Sequence, residues 1–123
     1  YMMAQKALLF GDNEIFHKIM NSKHPKEYKA LGRKIKNFSD SKWNENKYQI
    51  VLKGNLAKFS QNEKLKTFLL NTGTRVLVEA SPYDKIWGIG LSADQENIEN
   101  PLTWNGENLL GFALMEVRDL ISE

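Results

Sequence analysis

Apolar residues recur along this chain mostly at helical spacing, punctuated by residues that start and stop helices. Tyr1 to Phe10 reads as a first helix, with Gly11 placed to close it and Asp12 to cap a second running to about Met20. Pro25, at a first-turn position, opens a short helix that Gly32 can end. The Ser39-Asp40-Ser41 cluster offers caps for a longer helix carrying Trp43, Ile50, Val51 and Phe59, which Gly54 is expected to weaken or break. Asn62 caps a further helix whose Leu65, Phe68, Leu69 and Thr72 fall at i, i+3, i+4 and i+7, and Gly73 stops it.

The pattern then changes period. Arg75 to Ala80 is rich in valine and reads as a strand, with Ile86 to Ile89 as its partner across the Ser81-Pro82 turn. Ser92 to Trp104 is polar and contains Pro101, as expected of a surface loop over a site. Asn105 or Asn108 caps a last helix with an apolar stripe of Leu110, Leu114, Val117 and Ile121. The expected fold class is therefore mainly α with a minor β element (α+β), in a single domain over residues 1–123 without internal repeat or linker.

Composition narrows the chemistry. A chain of 123 residues suits one domain that buries roughly two thirds of its unfolded surface. The absence of cysteine excludes disulfides, cysteine-ligated zinc and thiol catalysis. His17 and His24 are too few for a metal site and read as surface or capping residues, so neither metal nor cofactor is expected. Apolar runs are only a few residues long, so no membrane span or signal peptide is expected and a cytoplasmic setting is the default. The net charge of +2 is compatible with a phosphate-bearing ligand but far from that of a strongly basic nucleic-acid binder. The densest positive stretch, Arg33-Lys34-Ile35-Lys36, fits a solvated helix end.

Two helical wheels single out individual residues. At about 100° per residue the first helix puts Met2, Met3, Lys6, Leu9 and Phe10 on one face, with Lys6 near its middle. Such a lysine either snorkels to water or loses hydration, and lost hydration lowers its pKa and makes it nucleophilic near neutral pH. The last helix sets Asn108, Gly111, Met115 and Arg118 along one edge of its stripe. Gly111 suggests close approach by another helix or by a ligand, close packing being the commoner cause. Asn108 is either a cap or a phosphate contact at the helix N-terminus. Arg118 either clamps a phosphate or pairs with an internal carboxylate such as Glu79.

The segment from Glu79 to Gly90 gathers a carboxylate (Asp84), a flat aromatic (Trp87) and two glycines (Gly88, Gly90), the parts of a sugar-handling pocket or of a plain turn beside a core aromatic. Taken in order with Gln5-Lys6-Ala7 and with Trp104 to Arg118, it resembles the NADAR family, the YbiA-like proteins named for NAD and ADP-ribose. The likeness covers nearly the whole chain, including Leu31-Gly32-Arg33, Trp43, Lys58-Phe59 and Leu70-Asn71-Thr72-Gly73. It implies a compact YbiA-like helical domain and cleavage of the bond between ribose C1′ and a base nitrogen. The implied substrates are ADP-ribosyl compounds, including ADP-ribosylated guanine in nucleic acid, or phosphoribosylamino-pyrimidine intermediates of riboflavin synthesis. Family members carry a preceding portion ending in a glutamate just ahead of the tyrosine matched by Tyr1, so a functional residue is expected upstream.

On this resemblance Lys6 and Asp84 are the catalytic candidates, with Glu79 as a fallback acid. Trp43, Trp87, Gly88, Asn108, Arg33 and Arg118 are the substrate-binding candidates. Cleavage builds positive charge on the sugar, which Asp84 can stabilise or answer by activating water, while Trp43 and Trp87 stack on the base or adenine. A neutral Lys6 can instead attack C1′ and form an imine. Two further readings stay open: a non-catalytic NAD or ADP-ribose binding module, and a nucleic-acid binder using Arg33, Lys34 and Lys36.

Overall fold

The structure is a computed structural model that describes residues 1–122. Six α-helices and one short 3-10 helix make up its regular structure among the described residues: α1 (Met2–Leu9), α2 (Asn13–Met20), α3 (Pro25–Gly32), α4 (Asp40–Gln61), α5 (Glu63–Leu70), the 3-10 helix Pro101–Thr103 and α6 (Leu109–Ile121). No helix among them is long and apolar enough to cross a membrane. The chain separates into two compact units, Tyr1–Gly54 and Asn55–Glu123, with the boundary inside α4.

In the first unit the local signals act as read. Gly11 takes the left-handed conformation at φ 70° and ends α1. Asp12 then caps α2 by accepting a hydrogen bond from the Ile15 N–H at 3.1 Å, while its second oxygen accepts from the Lys36 N–H at 2.9 Å. One buried carboxylate thus fixes both a helix start and the connection between α3 and α4. The core joins Ala4, Ala7 and Phe10 of the α1 region to Ile15 and Ile19 of α2 and to Ile35. The inward side of α1 is therefore its alanine side, because small side chains let α2 and α3 approach; the large residues Met3 and Leu9 pack at its border. Gly54 does not break α4. A Cβ there would lie 2.4 Å from the Tyr1 ring, so the missing side chain seats that ring.

The second unit corrects the expected β element, since neither Arg75 to Ala80 nor Ile86 to Ile89 is a strand. The fold class is all-helical among the described residues. The backbone from 75 to 79 finds partners in side chains of the α6 region instead of a second strand. The Asn108 carboxamide accepts from the Glu79 N–H and donates to the Leu77 carbonyl, each at 3.0 Å, in the manner of a neighbouring strand. Arg118 adds a further rung by donating to the Arg75 carbonyl and to the Thr72 hydroxyl, both at 2.8 Å. From the other segment a single bond reaches it, Ile89 N–H to Glu79 carbonyl at 3.0 Å. Carbonyls of residues 86–88 are used elsewhere, accepting from the N–H groups of Asn108, Leu109 and Leu110 at the start of α6.

Gly111 owes its place to the same arrangement. A Cβ there would sit 2.2 Å from the Leu77 carbonyl, so it is this non-helical segment, not another helix, that packs against it. Val117 is the one member of the expected α6 stripe that is fully buried, while Leu110, Leu114 and Ile121 are half-buried. In α5, capped by Asn62 through the Leu65 N–H at 3.2 Å, Leu69 is buried but Phe68 faces solvent.

Candidate active site

The candidate residues fall into two clusters, one in each unit. In the first, α1 carries Lys6 half-buried, and its ammonium stands 4.6 Å from the centre of the Phe38 ring and 5.5 Å from that of Trp43 at the start of α4. Burial lowers the Lys6 pKa below the usual lysine range, and the Asp40 carboxylate draws it back upward. Lys6 therefore neither sits in the core nor escapes to water, and its amine is held against aromatic faces. Arg33, the cap residue closing α3, is exposed, and its backbone N–H donates to the Lys29 carbonyl.

Phe38 was not singled out in the sequence, and Asp40 only as part of a capping cluster. The Asn37-Phe38 pair carries a signal in hindsight, since asparagine tolerates the left-handed conformation that Asn37 adopts at φ 60°. A second feature of this unit is an apolar cavity of about 570 Å³ lined by Tyr1, Gln5, Leu8, Met20, Tyr28 and Lys29 among others. It includes none of the candidate residues.

The second cluster is built around a tight loop. Asp84 is half-buried, and its Oδ1 accepts from the N–H groups of Ile86 at 3.1 Å and Trp87 at 2.8 Å. This side-chain turn fixes the carboxylate relative to the half-buried Trp87 and leaves Oδ2 outside the hydrogen bonds formed among the described residues. Gly88 is required where it stands, because a Cβ would lie 2.8 Å from the carbonyls of both Asp84 and Glu79. Gly106 approaches from the other side, with its Cβ position 2.4 Å from the Gly88 carbonyl. The loop is thus packed backbone against backbone.

Asn108 and Arg118 are both buried, and their polar atoms point into this framework. Asn108 adopts φ 53°, ψ 40° at the start of α6 and makes no side-chain cap bond, because its amide is spent on Leu77 and Glu79. Its N–H donates to the Gly88 carbonyl at 2.9 Å, tying the two candidates together. Arg118 engages Thr72 and Arg75, not Glu79, and its buried Nε has no hydrogen-bond partner among the described residues. No group of three or more His, Asp or Glu side chains among the described residues is arranged to hold a metal ion.

Residues 1–122 match the NADAR domain. The chain is 51% identical over 119 residues to an N-glycosidase of Acanthamoeba polyphaga mimivirus, covering 97% of this chain and 70% of that protein. It is 40% identical over 121 residues to protein irg-1 of Caenorhabditis elegans, covering 97% of this chain and 57% of that one. A chloroplastic riboflavin biosynthesis protein of Zea mays is 33% identical over 112 residues, which is 88% of this chain but 16% of the plant protein.

Proposed function

This chain belongs to the NADAR family, and from that premise we propose that it is an N-glycosidase that hydrolyses the bond between ribose C1′ and a base nitrogen in an ADP-ribosyl or phosphoribosyl compound. Relatives named as N-glycosidases support the reaction class. The relatives named for riboflavin biosynthesis favour a small phosphoribosylamino-pyrimidine as one substrate. ADP-ribose on guanine, free or in nucleic acid, is the other substrate class of the proposal. We take the cytoplasm as its setting.

The observation that carries the proposal is the Lys6 amine, half-buried against Phe38 and Trp43 with its pKa lowered by burial. A neutral amine attacks C1′ while the C1′–N bond breaks and its electron pair leaves with the base, which takes up a proton. The resulting glycosylamine opens its ring to an imine by moving the amine proton toward the ring oxygen. Water then adds to the imine carbon and releases the ribose aldehyde, returning the lysine amine.

For the direct route, in which water attacks in place of Lys6, Asp84 takes the acidic role: its Oδ2 stabilises positive charge developing on the sugar, or accepts a proton from attacking water. Trp87 and Trp43 provide stacking faces for the base or adenine. Gly88 gives the loop its close fold, and Asn108 and Arg118 act as positioning residues that anchor the backbone leading into it. Arg33, exposed at the end of α3, is the surface cation offered to a phosphate.

Incubation with a phosphoribosylamino-pyrimidine, and separately with an ADP-ribosylated guanine nucleoside, tests the proposal through chromatography of the products. Free base appearing with time is the expected result. Saturable binding with no free base from either compound would replace hydrolysis with a binding module.

A further inference from the structure

The geometry points to Phe38 as a positioning residue for Lys6, holding the amine in one place through an aromatic face; this inference rests on the proposed role of Lys6 as the reacting amine. Three features of the α3–α4 connection converge on that ring. Ile35 is buried in the core, and the Lys36 N–H is tied to Asp12 at 2.9 Å. Asn37 then turns the chain through the left-handed region at φ 60°. Phe38 follows at once, 41% exposed, with its centre 5.1 Å from that of the buried Phe10 at an interplanar angle of 56°. Burial therefore does not account for its place. Backbone ties and one ring contact set it, and its face carries the Lys6 ammonium at 4.6 Å.

An aromatic face attracts an ammonium and not a neutral amine, so Phe38 opposes the desolvation that lowers the Lys6 pKa. Among the described residues, Asp40 favours the ammonium, and Lys42 brings its Nζ to 5.5 Å from the Phe10 ring centre. Helices α2 and α3 pack on the alanine side. Loss of the ring lowers the Lys6 pKa further, because the charged form loses an attraction that the neutral form never had. The bulk of the ring also bounds the space that the lysine chain can sweep whatever its charge, so without it the fully deprotonated amine is less well placed and reacts more slowly.

The test is NMR titration of the Lys6 side chain, assigned with Lys6→Arg, in the wild type, Phe38→Leu and Phe38→Tyr. Borohydride trapping with ADP-ribose is run on the same proteins across pH. In Phe38→Leu the Lys6 midpoint is expected to fall by about half to one pH unit. Trapping above the midpoint is expected to slow about tenfold, and Phe38→Tyr restores both. Should Phe38→Leu fail to fold, Phe38→Met makes the same comparison. A midpoint unmoved in the folded leucine or methionine variant overturns the inference, whatever the trapping rate. A midpoint that falls as expected while even the wild type forms no adduct upholds the role of Phe38 and overturns the imine reading instead.

Discussion

The Asn108 carboxamide pairs with the backbone at Glu79, accepting its N–H at 3.0 Å while donating to the Leu77 carbonyl at the same distance. A single side chain from the start of α6 thus takes the place of a β-strand. Asn108→Ala removes the partner of a half-buried donor and a half-buried acceptor, so a loss of about 1–3 kcal/mol is expected. Thermal unfolding of the variant measures it as a fall in Tm of about 10 °C. A change within 2 °C would mean that these two bonds do not hold the segment.

Gly111→Ala tests the close approach of α6 to Leu77. Helix propensity alone favours alanine by about 1 kcal/mol. The 2.2 Å separation between the added Cβ position and the Leu77 carbonyl reverses that sign, since a backbone atom must move. A lower Tm for the alanine variant is expected, and a higher one would show that propensity prevails.

Asp12 gives the first unit a dependence on acid. The Lys36 N–H, and next the Ile15 N–H, hold its carboxyl below the usual aspartate range. A folded-state pKa below the unfolded one contributes stability that is fully present above the unfolded value and is lost as pH falls through the folded value. Asp12→Asn is expected to lower Tm near neutrality by several degrees and to flatten its decline below about pH 4. Parallel Tm curves for the two proteins would remove Asp12 from the acid response.

Asp84→Asn separates charge from shape. Asparagine retains the Oδ1 that accepts from Ile86 and Trp87, so the loop persists while the negative charge is lost. Turnover is expected to fall about 10²- to 10³-fold with Tm nearly unchanged. Full activity would move the acidic role to Glu79 or to a residue outside this chain.

The helices were legible because their signals are local. Asp12, Pro25 and Asn62 each announce a start within a few residues, and Gly11 an end. The strand was misread because the valine-rich run pairs not with a second strand but with side chains of the α6 region some thirty to forty residues away. A wheel for α1 finds the large apolar residues, yet the buried side is marked by Ala4 and Ala7, which such a wheel weights lightly. It set Lys6 near the middle of an apolar face, whereas Lys6 lies half-buried beside the Phe38 and Trp43 rings. Phe38 and Asp40 reach Lys6 through a connection whose course depends on the Asp12–Lys36 bond, and no local pattern encodes that contact. Within the second unit, the Asp84 side-chain turn holds Ile86 and Trp87 where a strand was expected, and neither that turn nor the tie from Gly88 to Asn108 was legible.

The central claim is that Lys6 is the reacting amine. Borohydride reduction of the protein in the presence of ADP-ribose, followed by peptide mass analysis, tests it most directly. The account predicts a reduced ADP-ribosyl adduct on the peptide containing Lys6, absent from Lys6→Ala. Turnover with no adduct on that peptide, and undiminished in Lys6→Ala, would contradict it.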